Sequence, residues 1–209
     1  MFFTVRKFGA TPALLAHTLK QSTDGKIVTT DAIDTTGATV IVISYSSQLV
    51  PIPTDNKSNT WTEAVFDATR EKIYHCINPT VGSGHTFTLN PGVNGFPTMA
   101  VSAYSGANPT LLDTKNNFTA SGTSLATGSI TPSQDNVLLY YAIGDAFTDT
   151  TMGLDVGTIL NEAALVGFVA FALAHAHEIQ TAATTRNPTW SWSPAARAGT
   201  VLAAFGFSL

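Results

Sequence analysis

Four runs decide the fold: ATVIVISYSS (38–47), PTDNKSNTWTEAVF (53–66), EKIYHCINPTVGSGHTFTLN (71–90) and GFPTMAVSAYSGA (95–107). Each holds a short apolar segment rich in Val, Ile, Phe, Tyr, Trp and Thr, and each stops at Gly, Pro, Asn or Asp. Branched and aromatic side chains fit a pleated, half-buried surface, and the breakers supply turns, so consecutive antiparallel strands are expected. Thr39 to Ser46 starts apolar on both faces, as a central strand between two layers would. In HTFTLN, period two puts His85, Phe87 and Leu89 inward and Thr86 and Thr88 outward. Thr60 to Phe66 also alternates, with Trp61 and Val65 expected on one face.

Outward from this stretch, Ile27 to Thr36 reads as an edge strand. Ser124 to Ile130, Val137 to Ile143, Thr189 to Ser193 and Thr200 to Ser208 read as further strands. Asn161 to Gln180 suits either a buried helix or a strand. Its large residues (Val169, Phe171, Leu173, His175, His177) alternate with alanines (Ala170, Ala172, Ala174, Ala176), which favours a long strand. Residues 1–26 read as an irregular N-terminal arm, and Gly106 to Thr123 as a long loop. Ten or eleven strands without a repeat or a βαβ alternation predict one all-β domain over 27–209. The economical arrangement is a two-sheet antiparallel β-sandwich, jelly-roll-like.

Composition narrows the function. Of 209 residues 44% are hydrophobic, enough for a substantial core, while only 11% are charged. That is roughly half the usual share, so Thr, Ser, Asn and Gly, or neighbouring molecules, must cover the exterior. The net charge of -4, with only Arg6 and Lys7 adjacent, argues against nucleic acid. The single cysteine, Cys76, excludes an internal disulfide and reads as a small core side chain. No apolar window is long enough for a membrane-spanning helix. Met1 to His17 lacks the order of a signal peptide, so folding in a cytoplasm is expected.

Few residues carry recognisable chemistry. His175 and His177 form a His-x-His pair whose imidazoles share one strand face, as metal ligands do, with His75 or His85 as a third ligand. The plainer reading is two ordinary histidines near a strand end. Asp55 to Asn59 alternates oxygen side chains like a calcium loop, but only Asp55 is acidic, so a hairpin turn is favoured. Trp190 and Trp192 share a face and serve either as core or as an aromatic platform for a sugar ring. The carboxylates are scattered, and no Glu-x-Asp-x-Glu face or Gly-x-Ser-x-Gly elbow occurs. Gly82-Ser83-Gly84 precedes a strand and is a turn. The expectation is a protein that is not an enzyme and holds no cofactor or metal.

The runs DTTGATVIVISYSS, DNKSNTWT, YHCINPTVGSGHTFTL, AVSAYSGA, GSITPSQDNVLLYYAIG, NPTWSWS and LAAFGF, spread over residues 27–208, add a likeness. Together they resemble β-sandwich domains in virion proteins of tailed phages and in uncharacterised bacterial surface proteins. The resemblance implies a jelly-roll or concanavalin-like sandwich used for assembly or attachment, without catalytic residues. The expected function is a phage structural protein, a capsid decoration or tail-associated subunit made in the host cytoplasm. It would assemble with itself and with other virion proteins. Its expected contacts are Phe2, Phe3, Leu14 and Leu15 in the arm and Leu111, Leu112 and Phe118 in the loop, all apolar residues in turn-rich sequence. The alternative is a carbohydrate-binding attachment module using Trp190 and Trp192. A glucanase-like hydrolase is a weaker one.

Overall fold

In a computed structural model that describes residues 11–148, 151–167 and 169–208, every regular element is a strand. These are β1 (Ala13–Gln21), β2 (Val28–Thr29), β3 (Val40–Ser46), β4 (Thr54–Asp55), β5 (Thr62–Phe66), β6 (Glu71–Ile77) and β7 (Phe87–Leu89). There follow β8 (Thr98–Ser105), β9 (Pro109–Ala126), β10 (Val137–Asp145), β11 (Gly153–Leu154), β12 (Thr158–Ala163), β13 (Ala172–Gln180) and β14 (Thr189–Phe207).

All pairings between these strands are antiparallel. One sheet runs β1-β8-β3-β6-β5, a second β11-β14-β10-β13-β12 with β9 added on β14, and a small third β2-β7-β4. The two large sheets pack as a β-sandwich, and its core is layered. Between them lie Val40, Val42, Ile73, Ala100 and Tyr104 from one side and Leu138, Tyr140, Leu173, Val201 and Phe205 from the other. The opposite face of the five-stranded sheet packs Ile41, Ile43, Tyr74 and Val101 against Val28, Phe87 and Leu89 of the small sheet. The outer face of the six-stranded sheet buries Leu139, Tyr141, Ile143 and Leu202 with Trp190, Trp192 and Phe147. With apolar layers on both sides, β3 is buried at all its positions, as its two-faced apolar pattern requires. His85, Phe87 and Leu89 are buried and Thr86 and Thr88 are not, as period two predicts.

Several local expectations need correction. Residues 13–21 of the expected arm are an edge strand, pairing with β8 from Ala13↔Ser105 to Gln21↔Thr98. The expected loop at 106–123 is mostly β9, which pairs with β14 over nearly its whole length. The two C-terminal strands are one, β14, whose register shifts between Ser191 and Ala198 let it bend over the outer core. Ile27 to Thr36 contributes only β2 and a bridge at Ile33. Asn161 to Gln180 holds the end of β12 and all of β13, two separate strands rather than one. Trp61 and Val65 fall in different core layers, because a register shift between Glu63 and Val65 inserts one residue and flips the alternation. The described strands number fourteen rather than ten or eleven, several being short pieces that composition does not reveal.

Candidate functional site

One end of the sandwich collects most of the unusual chemistry. Gln21, Ser46, Glu71 and Thr98 end or begin their strands in register there, and so do Asp145 and Ala172 of the other sheet, with Asp145 paired to Ala198 inside β14. The sheets are joined at this end, where Thr98 Oγ1 donates to the Phe171 carbonyl at 2.5 Å and Gln21 Nε2 donates to the Ala164 carbonyl at 2.8 Å.

The loops at this end are stitched to one another. Gln48 N–H donates to the Gly95 carbonyl, the Gly95 and Phe96 N–H groups donate to Gly25, and Phe171 N–H donates to Phe96. These loops expose Ile27, Leu49, Val50, Ile52, Val93 and Val166, six of the eight exposed large apolar residues described. The remaining two are Leu15 on β1 and Phe118 on β9. Both strands lie at sheet edges, with backbone groups free on one side.

Beneath the loops lies an ionic cluster between the sheets. The Asp145 carboxylate is fully buried and is held by two arginines. Arg70 Nη1 donates to its Oδ1 at 2.7 Å and Arg197 Nη2 to the same oxygen at 2.8 Å, with Arg197 Nε 2.5 Å from Oδ2. Asp145 itself has φ of 114°, a backbone state that costs a non-glycine residue about 1–3 kcal/mol and needs surrounding structure to hold it. Asp67 caps its own turn, accepting from Thr69 N–H at 2.7 Å and Arg70 N–H at 2.9 Å.

Glu71 lies beside Asp67 and accepts from Ser46 Oγ at 2.9 Å. Burial first, then the neighbouring Asp67 and Asp145, pushes the Glu71 carboxyl well above the usual range. Gly199 makes the arrangement possible, because a Cβ there would lie 1.8 Å from Asp67 Oδ2 and 2.1 Å from Glu71 Oε2. The outward faces of the arginines line a pocket of 320 Å³ with Phe96, Leu165 and Phe171. The Arg70 guanidinium sits 4.1 Å from the centre of the Phe171 ring.

A second polar chain crosses the middle of the sandwich. Asn161 Oδ1 accepts from His17 Nδ1 at 2.7 Å and from His175 Nε2 at 3.0 Å. With its Nε2 donating, His175 accepts at Nδ1 from Tyr140 Oη at 3.0 Å, and Ser44 Oγ meets Tyr140 Oη at 2.9 Å. The line runs from exposed His17 to the fully buried Ser44. Burial, reinforced by His17 and His177, lowers the His175 pKa to about 3, so the imidazole stays neutral.

His175 and His177 do share a face, but His75 lies against Phe205 and His85 is buried beside Thr35 and Asp55. Among the described residues no group of three His, Cys, Asp or Glu is placed to hold a metal. Asp55 is occupied by Lys57 N–H at 2.7 Å, Asn59 N–H at 3.3 Å and Trp61 Nε1 at 3.0 Å. Its turn joins strands of two different sheets rather than a hairpin.

The expected sugar platform is corrected. Trp190 and Trp192 are 0% and 4% exposed, sealed in the outer core under the bend of β14, and present no face to solvent. Of the expected contact residues, Leu14 and Leu111 pack partly into the central core and Leu112 into the outer one, while Leu15 and Phe118 are exposed. Phe2 and Phe3 lie outside the described residues. The ionic cluster escaped sequence reasoning because its members come from three distant segments. The one local clue was Glu71, in phase with apolar Ile73 and Ile77 on a strand.

No protein-family model, curated protein or solved structure matches the chain.

Proposed function

We propose that the chain is a non-enzymatic virion structural protein of a tailed phage, a jelly-roll-like capsid decoration or tail-associated subunit that works by protein–protein assembly. One observation carries this reading: the exposed large apolar side chains are gathered on the stitched loop end and on two edge strands. Scattered apolar residues need no explanation, but a collected set on braced loops suits a partner surface. The ionic cluster suits such a base, since Asp145 and its arginines tie the turn between β5 and β6 to β10 and β14 of the other sheet. The low charge and the sequence resemblance support the virion setting.

The test is to place charges on the loop end, as Ile52→Asp with Val93→Asp, and to measure incorporation into particles. Loss of incorporation at an unchanged melting temperature supports the proposal. Unchanged incorporation overturns the loop end as the contact surface.

A further inference from the structure

At the other end of the five-stranded sheet, β6 runs beyond the start of β5, since Thr62 pairs with His75 and leaves Cys76 to Asn78 past the strand. The turn at 56–61 and the segment 78–80 wall the space into a cavity of 430 Å³. That is within the roughly 300–1,000 Å³ of small-molecule sites. Asn59 fixes the walls: its Oδ1 accepts from Thr80 N–H at 2.6 Å, and its Nδ2 donates to the Thr80 carbonyl at 3.1 Å. The groove is therefore formed before any ligand arrives.

Its lining is polar and uncharged. Ser58, Thr60, Thr62, Asn78 and Thr80 bring hydroxyls and a carboxamide to it, and Cys76 and Ile77 of β6 also line it. None of those five side chains makes a hydrogen bond with another described residue, so their donors and acceptors are available. His75 also lines the groove, at 7% exposure, and its Nδ1 is buried without a hydrogen-bond partner. Desolvation lowers the His75 pKa, leaving a neutral ring that can accept as well as donate.

We propose that this groove is a binding site for a neutral saccharide. Each sugar hydroxyl both donates and accepts, matching the Ser, Thr and Asn groups that line the groove. Among the described residues no carboxylate, guanidinium or ammonium lines the groove to pair with a charged ligand. The site is separate from the loop end and does not depend on the assembly reading.

The experiment is an array of neutral hexose and N-acetylhexosamine oligosaccharides beside sialylated and sulfated ones, followed by calorimetric titration of the strongest binder. Thr62→Val with Thr80→Val keeps the side-chain shape and removes two hydroxyls. Ser58→Gly with Asn78→Gly removes two more polar groups at positions of φ 60° and 53°, which glycine adopts freely. Each pair should weaken binding at least tenfold, while Ile52→Asp with Val93→Asp should leave it unchanged. The proposal is overturned if no neutral glycan binds, if binding is confined to sialylated or sulfated glycans, or if both pairs of variants bind like the wild type.

Discussion

The two polar inclusions between the large sheets answer the same physical problem in opposite ways. At the loop end, two partly exposed guanidiniums reach the fully buried Asp145 carboxylate. In the middle, His175 is neutral, and its line of hydrogen bonds runs through Asn161, Tyr140 and Ser44. A buried ion needs paired charge, whereas a buried neutral group needs only a hydrogen-bond partner. The ion pairs tie the turn between β5 and β6 to β10 and β14, and the hydrogen-bonded chain crosses between the sheets.

Breaking the charged side should have the largest effect. Replacing both Arg70 and Arg197 by Ala strands a buried carboxylate, and removing the partner of such a charge costs about 3–5 kcal/mol. The measurement is the urea unfolding midpoint; a loss below about 1 kcal/mol would mean that Asp145 does not depend on its arginines. Gly199→Ala attacks the same cluster by volume and should cost about 1–3 kcal/mol or more. On the neutral side, Tyr140→Phe removes the donor to His175 Nδ1, and should cost about 1–3 kcal/mol in the same assay.

Proton linkage sharpens the comparison with the smallest perturbations. Glu71 holds its proton in the folded chain above the pH at which the unfolded chain releases it. Stability from this group is therefore full below about pH 4.3 and declines as pH rises. Glu71→Gln removes the decline, and should raise the melting temperature at pH 8 but not at pH 4. His175 has the opposite sign, its folded pKa being lowered to about 3. Its contribution is full above about pH 6.5 and falls by roughly 1.4 kcal/mol per pH unit toward the folded value. Burial depresses His75, His85 and His177 as well, so they act in the same direction. In Glu71→Gln, free of the opposing slope, unfolding free energy should fall steadily from pH 6.5 to 5, with the His175 ring neutral by NMR throughout. A protonated His175 at pH 5 would contradict the buried chain.

Some features were readable because their causes are local. The burial of β3 and the inward set His85, Phe87 and Leu89 follow from periodicity, which acts over two residues. The strand at 172–180 is likewise marked by large residues alternating with alanines. Where one extra residue enters, the signal inverts: the shift before Val65 sends it to a different layer from Trp61. The Thr- and Asn-rich composition of β9 looked like a loop, since such residues reveal a strand only through pairing, and β14 supplies that pairing across the fold.

By itself the sequence determined an all-β antiparallel chain with a large core, a buried free cysteine and no local catalytic motif. The tertiary structure alone decided which polar groups meet: Asp145 with Arg70 and Arg197, and His175 with Asn161 and Tyr140. It also decided that Trp190 and Trp192 lie inside. Periodicity assigns a side chain to a face, but only sheet pairing and packing decide what covers that face, because those contacts join residues far apart along the chain.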